Sequence, residues 1–413
     1  HTSHLFCFIS LIMSLISTMG KARPSISHYH GGTIDAFAQI EIFHFGALSF
    51  TMEISYESQI DGERSSKAET SQNYYGSVLS TSADLQTNAC TTAESPSKEV
   101  RAALKNVSEL VLSKYYGCGL IYPDAIKGMS LLDLGCGAGR DVYVLSQLVG
   151  EQGSVTGVDF TEAQLKVARD ETRAHMDKFG FKNANVEFMN NNIESLNGIL
   201  DASKDVVVSN CVVNLATNKR KVLKEVYRVL REGGEFYFSD VYATRRIPDN
   251  LRNDDELWGE CISGALYWND FIRLAKECGF KDPRLVKSRE LTINNPRLQE
   301  KLGGTTEFYS ATYRLFKLPG LEPDCEDYGQ AVIHKGTIDS CPAAFELDGH
   351  HFIETGKVFP VCGNTWAMLH DTRFKPHFDF VGDFSCHYGI FDGCGKSMPF
   401  DKGEKASRGS SCC

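Results

Sequence analysis

Residues 131–141 read LLDLGCGAGRD, and this stretch decides the fold. It joins a short apolar run, which we predict to be a strand, to a segment with helical spacing at residues 141–148. Glycines at such a turn let the backbone bend sharply and approach a ligand, and the free N–H groups of the next helix attract an anion. Three glycines alternate with other residues here: Gly135, Gly137 and Gly139. Arg140 follows the third glycine, so the pattern is GxGxG, which favours a nucleoside with a carboxylate tail over one with a pyrophosphate.

Strand-like and helix-like segments alternate from residue 130 onward, which predicts βαβ units and a mainly parallel sheet. The predicted strands are 130–134, 154–159, 185–189, 205–209, 235–240, 284–286 and 308–316. The predicted helices are 141–148, 162–179, 219–230 and 268–278, the third of them stopped by Gly233 and Gly234. The fold class is therefore α/β: a Rossmann-like, seven-stranded, mainly parallel sheet with an antiparallel last strand, plus a smaller C-terminal domain. Asp159 ends the second strand, where a carboxylate can accept hydrogen bonds from ribose hydroxyls.

Composition divides the chain into three parts. Residues 1–72 hold an apolar run at 5–16, which is too short to span a bilayer, and a polar stretch at 62–72. The apolar run has three possible interpretations: upstream sequence with Met52 as the true start, a signal peptide, or a local hydrophobic helix. We prefer the first interpretation. We therefore expect residues 1–72 to be a non-native or disordered extension. Residues 73–318 are predicted to form the α/β domain. Residues 319–413 begin with a linker marked by Pro319, Gly320 and Pro323 and are predicted to form a small, cysteine-rich, β-rich or irregular domain.

Charge and cysteine content restrict the function. The chain has 413 residues, 43 Lys and Arg against 53 Asp and Glu, and a net charge of −10. Such a balance argues against nucleic acid or an anionic membrane as a partner, since both demand clustered cations. There are 14 cysteines, spread along the chain. In a long, acidic, enzyme-like chain, thiols of this kind indicate metal-binding, redox or catalytic roles rather than a disulfide framework.

Four segments resemble the class I S-adenosylmethionine-dependent methyltransferases: LLDLGCGAGRD (131–141), GVDF (157–160), NNIESL (191–196) and DVVVSN (205–210). The resemblance implies S-adenosylmethionine as the cofactor. Carried over residue by residue, it implies these cofactor-binding residues: Asp133, Gly135, Gly137, Gly139, Asp159, Asn192, Ile193 and Glu194. Asn210, at the end of the fourth strand, would lie near the methyl group. Tyr75, from an aromatic pair ahead of the sheet, is a candidate cover for the sulfonium, because aromatic faces attract cations.

A more specific resemblance is to the arsenite methyltransferases. It rests on SADLQTNAC (82–90), YYGCGL (115–120), VVSNCVVNL (207–215), WGECISGALYW (258–268) and FYSATYRLFK (308–317). It implies that Cys118, Cys211 and Cys261 bind trivalent arsenic and that Cys90 is a redox partner. The residue types agree with this, because a soft centre such as arsenic selects thiolates over oxygen ligands. Cys211 directly follows the fourth strand, at the sheet edge where cofactors bind in such folds.

The same resemblance implies a mechanism. A trivalent arsenic–thiol conjugate delivers arsenic to the three cysteines, and arsenic attacks the methyl group without a general base, so catalysis is mainly positioning. A thiol pair, with Cys90 and Cys118 as candidates, then becomes a disulfide that a thioredoxin- or glutathione-type reductant resets. We expect a cytoplasmic monomer without nucleic acid or membrane partners.

Two other functions remain open at this point. One is a methyltransferase for another small-molecule acceptor, such as a sterol or quinone, and the other is a non-catalytic metalloid-binding thiol protein.

Cys136 and Cys278 are interpreted as small buried hydrophobes. Arg140 either pairs with the methionine carboxylate or lies on the helix surface. The C-terminal cysteines and histidines lack a CxxC pair, which disfavours structural zinc.

Overall fold

The computed structural model describes residues 96–115, 121–252, 254, 257–258, 261–293, 296–303 and 306–394. The predictions for residues 1–72, Tyr75, Cys90 and Cys118 lie outside these residues. In the described part of the chain, no helix has the length and apolar character needed to cross a membrane.

One eight-stranded sheet forms the centre of the molecule, in the order β3-β2-β1-β4-β5-β8-β7, with a short β6 beside β5. Its strands are β1 (Ser130–Leu134), β2 (Ser154–Asp159), β3 (Val186–Asn190), β4 (Lys204–Asn210), β5 (Leu230–Ala243), β6 (Leu266–Tyr267), β7 (Arg284–Glu290) and β8 (Phe308–Phe316). The pairs from β3 through β5, and β5 with β6, are parallel, whereas β8 is antiparallel to both β5 and β7. The predicted α/β fold with an antiparallel last strand is confirmed, and the sheet holds one more strand than expected, the two-residue β6.

Helices cover both faces of this sheet and bury its apolar side chains in two separate clusters. They are α1 (Lys98–Leu104), α2 (Glu109–Ser113), α3 (Arg140–Val149), α4 (Glu162–Asp170), α5 (Thr172–Phe179), α6 (Lys219–Val229), α7 (Asp249–Arg252), α8 (Trp268–Glu277) and α9 (Pro296–Leu302). Side-chain caps begin three of them. Ser97, Ser108 and Asn218 each accept a hydrogen bond from a backbone N–H in the first turn.

Two details of the predicted helices are wrong. The helix expected at 162–179 is two helices, α4 and α5, that meet at Glu171. Gly233 and Gly234 do not stop α6, because the chain enters β5 at Leu230 and carries both glycines inside that strand. Gly233 has a left-handed φ of 77°, and a Cβ there would lie 2.5 Å from the backbone oxygen of Asp371. The glycine therefore serves a close backbone approach within a strand rather than a helix end.

The C-terminal part folds around its own apolar cluster, which Phe316 of β8 also joins. Its elements are β9 (Glu326–Asp327), β10 (Gln330–His334), β11 (Ala344–Asp348), β12 (His351–Glu354), β13 (Val358–Val361), α10 (Gly363–His370), β14 (Phe378–Val381) and β15 (Gly389–Ile390). They make three small sheets, β13-β10-β14, β11-β12 and β15-β9. A buried ion triad joins this part to the large sheet: Glu235 lies 2.8 Å from Arg314 and 2.5 Å from Arg373.

Candidate active site

A cleft with about 1280 Å³ of empty space, part of it open to solvent, lies beyond the carboxyl ends of β1, β2 and β4. This is the edge at which open parallel sheets bind ligands. Most of the described residues predicted to bind the cofactor line it: Asp133, Gly135, Gly137, Asp159, Asn192, Ile193, Glu194 and Asn210. Cys211 lines the same cleft, and Gly139 does not.

The three glycines of the loop after β1 have different tasks. All three take a left-handed φ, of 70° at Gly135, 52° at Gly137 and 89° at Gly139. A Cβ on Gly137 would meet nothing within 4 Å, so this residue faces the open cleft. A Cβ on Gly139 would lie 2.9 Å from the ring of Phe188, so its role is close packing of α3 against β3. Gly139 is therefore a packing residue in this structure rather than a wall of the cleft.

Two buried carboxyl groups lie at one end of the cleft. Asp159 accepts hydrogen bonds from the N–H of Gly137 at 2.9 Å and from the N–H of Thr161 at 2.7 Å. Burial raises the pKa of Asp159, and these backbone donors oppose that shift. Burial also raises the pKa of Asp133, and the neighbouring carboxyls of Asp141 and Asp159 raise it further. Such acceptors suit hydroxyl and ammonium donors of a ligand.

A network of polar and aromatic side chains forms the adjoining wall. The guanidinium of Arg140 stacks on the ring of Tyr115, 3.1 Å from its centroid, and pairs with Asp141 at 2.6 Å. Asp141 also accepts hydrogen bonds from Tyr122 at 2.6 Å and from Asn210 at 3.2 Å. Asn210 donates to the Tyr115 hydroxyl at 2.7 Å as well. Arg140 is thus a cation on the cleft wall with 11% of its side chain exposed, and Asp141 is a lining residue that sequence reasoning missed. Tyr122 does not line the cleft but donates a hydrogen bond to Asp141.

The opposite wall combines one apolar side chain with a hydrogen-bonded turn. Ile193 is buried and lines the cleft. The side-chain oxygen of Asn192 accepts from the N–H of Glu194 at 2.8 Å. The Glu194 carboxylate accepts from the Thr217 hydroxyl and the Asn218 N–H, each at 2.9 Å. Glu194 therefore fixes the turn that leads into α6 in addition to lining the cleft.

Cys211 and Cys261 lie together at the end of the cleft. Both are buried, with 2% and 0% of their surface exposed. The Cys261 thiol donates to the backbone oxygen of Cys211 at 3.4 Å, although the two residues are 50 positions apart in the chain. Both take a left-handed φ, 59° and 61°, in which non-glycine residues are uncommon. Strain of this kind clusters at functional sites, because only a surrounding structure that needs the geometry maintains it.

Cys211 is disulfide-bonded in this structure. The other eight described cysteines are free thiols. A disulfide sulfur is a poor ligand for a soft centre, since the thiolate is the ligand form of cysteine. Cys211 must therefore be reduced before it can bind such a centre.

The shape and chemistry of the cleft fit S-adenosylmethionine. Gly137 leaves open space beside the backbone, and Asp159 places a buried carboxylate next to that space. Apolar side chains, among them Ile193, Val212 and Leu215, offer a surface for a flat base. Cys211 lines the cleft and Cys261 contacts Cys211 from behind the lining, so a ligand that fills the cleft lies beside the cysteine pair.

Comparison with known proteins agrees with this geometry. Residues 126–279 match the family described as "Methyltransferase domain", and residues 328–405 match the "Arsenite methyltransferase C-terminal domain". The chain is 56% identical over 347 residues to an arsenite methyltransferase of Aquipseudomonas alcaligenes, covering 84% of this chain and 99% of the relative. It is 49% identical over 315 residues to the Mus musculus arsenite methyltransferase, covering 75% and 82%.

A solved structure is similar over the same residues. The crystal structure of an arsenic(III) S-adenosylmethionine methyltransferase from Chlamydomonas reinhardtii superposes with a TM-score of 0.70 at 49% identity. The match covers 72% of this chain and 100% of that one.

Proposed function

The chain belongs to the arsenite methyltransferases, and from that premise we propose that Cys118, Cys211 and Cys261 are the thiols that hold trivalent arsenic for methylation. The observation that carries the proposal is the buried contact between Cys211 and Cys261, both left-handed, at the end of the cofactor cleft. The Cys261 thiol donates there to the backbone oxygen of Cys211, which lies 50 positions away in the chain. Arsenic(III) is soft and binds thiolates in preference to oxygen or nitrogen ligands. Cys118, outside the described residues, completes the set by resemblance.

The cofactor supplies the methyl group as an electrophilic sulfonium. We assign the ribose hydroxyls to Asp159, whose buried carboxylate lies beside the open space at Gly137. The apolar wall at Ile193 is assigned to the adenine ring. The carboxyls of Asp133 and Asp141 and the guanidinium of Arg140 are assigned to the amino-acid end, because their charges complement its ammonium and carboxylate.

The protein's own contribution to methyl transfer is positioning. Arsenic held by thiolates keeps its lone pair, and the attacking atom loses no proton, so no general base is required. Cys211 lies on the cleft wall directly after Asn210, which brings the arsenic side of the site next to the cofactor side. Holding both reactants in one geometry removes much of the entropic barrier to a bimolecular step. Burial of Cys211 and Cys261 excludes water from that contact.

Transfer of a methyl cation raises arsenic formally to the pentavalent state, so each cycle needs two electrons. We infer that a cysteine pair supplies them and becomes a disulfide, with Cys90 and Cys118 as candidates. The disulfide at Cys211 in this structure supports thiol redox chemistry at the arsenic site. A thioredoxin- or glutathione-type reductant would reset the pair by thiol exchange. This chemistry favours the cytoplasm, where thiols remain reduced, and we expect the enzyme to act as a monomer.

We also propose the following domain boundaries along the chain. Residues 73–318 form the methyltransferase domain with the arsenic site, and residues 319–413 form the small C-terminal domain. The separate apolar cluster of the C-terminal part supports this boundary.

The two alternative functions explain fewer of the observations. An oxygen nucleophile on a sterol or quinone would need a general base near the acceptor. It would also leave the two strained, buried cysteines at the cleft end without a task. A thiol protein that only binds metalloids would not need the cofactor cleft.

Two serine variants test the proposal. Cys211→Ser and Cys261→Ser should abolish methylarsenical formation from arsenite under thiol reductant while S-adenosylmethionine still binds. Cys278→Ser is the matched control, since Cys278 is also buried but hydrogen-bonds to the backbone oxygen of Arg220, away from the cleft. Chromatography with elemental mass detection measures the products, and calorimetry measures cofactor binding. Near-normal methylation by either cleft variant would overturn the assignment.

A further inference from the structure

Three cysteines of the C-terminal part meet in space although they are far apart in sequence. Cys325 precedes β9, Cys362 caps the start of α10, and Cys394 follows β15. The N–H of Phe391, between β15 and Cys394, donates to the backbone oxygen of Cys325 at 2.8 Å, and β9 packs against α10, whose first turn Cys362 caps. These contacts bring the three cysteines near one another. Their exposure is graded, because Cys394 is exposed, Cys325 is half-buried and Cys362 is buried. The cluster therefore leads from the surface into the protein.

The sulfur of Cys362 is surrounded by hydrogen-bond donors. The N–H of Thr365 lies 3.5 Å from it, the Thr365 hydroxyl 3.3 Å, and the Arg284 guanidinium 4.0 Å. The hydrogen bond from Cys325, together with Arg284 and Thr365, lowers the pKa of Cys362 to about 5 against the effect of burial. The same contact raises the pKa of Cys325. The pair therefore favours a thiolate at Cys362 beside a thiol at Cys325, and the thiolate is the nucleophile in thiol–disulfide exchange.

A hydrogen-bonded chain supports this thiolate from behind. The Thr365 hydroxyl lies 3.3 Å from Nε2 of His351, and Nδ1 of His351 lies 2.7 Å from the Asp348 carboxylate. Asp348 also pairs with Arg284 at 3.0 Å. The chain holds Thr365 and Arg284 in place against Cys362. A buried polar network of this kind restricts the side chains that it joins, and nothing in the arsenic mechanism uses it.

We propose that Cys325 and Cys362 are a redox-active dithiol that forms a disulfide by exchange with a diffusible disulfide, with Cys394 as the surface thiol through which exchange begins. The thiolate of Cys394 attacks one sulfur of the external disulfide and releases the first thiolate. Cys325 then attacks the Cys394 sulfur, releases the second thiolate and gives up its proton to it. The Cys362 thiolate attacks the Cys325 sulfur and returns Cys394 to the reduced form.

Atoms and electrons balance in this exchange. Two electrons pass from Cys325 and Cys362 to the external disulfide, which leaves as one thiol and one thiolate; the thiolate takes its proton from solvent. A resident metal is not favoured here, since no cluster of three or more metal-ligating side chains is arranged for an ion within the described residues. The proposal does not rest on arsenic binding, because every sulfur in it belongs to the C-terminal part.

Disulfide mapping of the full chain tests the proposal. The reduced protein is equilibrated with glutathione at graded ratios of oxidised to reduced form, alkylated quickly, digested and analysed by mass spectrometry. We expect a linkage between Cys325 and Cys362, formed roughly tenfold more slowly in Cys394→Ser because access controls exchange. Cys278→Ser, the control, should form it at the unaltered rate. Absence of the linkage at the most oxidising ratio, linkage of Cys325 or Cys362 to Cys412 or Cys413 instead, or an unaltered rate in Cys394→Ser would overturn it.

A second variant tests the role of Thr365 as a positioning residue. Thr365→Val keeps the shape of the side chain and removes one donor to the Cys362 thiolate. Because a stabilised thiolate favours the reduced form, the glutathione ratio at half-oxidation should shift about twofold to tenfold towards reducing conditions, the size of one hydrogen bond. An unchanged midpoint would contradict that role.

Discussion

Replacing Asp159 by Asn tests the cofactor cleft where its geometry is best defined. The two carboxylate oxygens of Asp159 accept from the N–H groups of Gly137 and Thr161 at 2.9 and 2.7 Å. The side-chain amide of asparagine keeps one oxygen as an acceptor, but its NH₂ group then faces one of those two backbone N–H groups, so that two donors oppose each other. A hydrogen bond to a charged group contributes about 1.5–3 kcal/mol. Since about 1.4 kcal/mol is a tenfold change in affinity, S-adenosylmethionine should bind roughly 10- to 150-fold more weakly.

Calorimetric titration of the reduced protein with S-adenosylmethionine measures this change. Asp170→Asn is the matched control, because Asp170 lies on the exposed face of α4 and pairs with Lys166 in solvent. It should bind the cofactor as the unmodified protein does. Thermal unfolding of both variants separates a local effect from loss of the fold. A folded Asp159→Asn protein with unaltered affinity would refute the assignment of Asp159 to the cofactor.

Three further variants probe stability and the glycine loop. Glu235→Gln should lower the free energy of unfolding by about 3–5 kcal/mol, because it leaves two buried arginines without their shared carboxylate. Urea unfolding measures this free energy, and a loss below about 1 kcal/mol would contradict the prediction. Burial raises the pKa of Asp240 from 3.8 to about 7, so the folded protein keeps a proton that the unfolded chain loses first. Stability from this group is therefore present at low pH and declines as the pH rises towards 7. Urea titrations from pH 4 to pH 7 should show that decline and a flatter profile in Asp240→Asn; equal slopes would count against it. Gly135→Ala places a Cβ 2.4 Å from Val212 and should weaken cofactor binding by at least about tenfold in the same titration. Gly150→Ala, equally left-handed but with nothing within 4 Å of the new Cβ, should leave it unaltered; equal effects of the two would exclude the clash as the cause.

Local patterns were sufficient to predict the sheet and the position of the cleft. The glycine loop, Asp159 and the β-branched run of β4 each carry their signal within a few consecutive residues, and strand β8 has the predicted bounds. Gly233 was misinterpreted because its neighbour, the backbone at Asp371, is remote in sequence.

Contacts between distant residues could not be read from local patterns. Asp141 gains its role only when α3 brings it beside Asn210, and Tyr122 only through its hydrogen bond to Asp141. Cys325 and Cys362 have no CxxC spacing, so their contact follows from the fold of the C-terminal part alone. The left-handed backbone of Cys211 and Cys261 likewise has no signal in the sequence.

Arsenic K-edge X-ray absorption of the reduced protein loaded with arsenite tests the central claim most directly. If Cys118, Cys211 and Cys261 hold the substrate, arsenic in the unmodified protein is coordinated by three sulfur atoms. The Cys211→Ser protein then shows fewer arsenic–sulfur bonds and forms no methylarsenicals, while Cys278→Ser retains all three. Three sulfur ligands retained in Cys211→Ser, or an oxygen-dominated shell in the unmodified protein, would contradict the account.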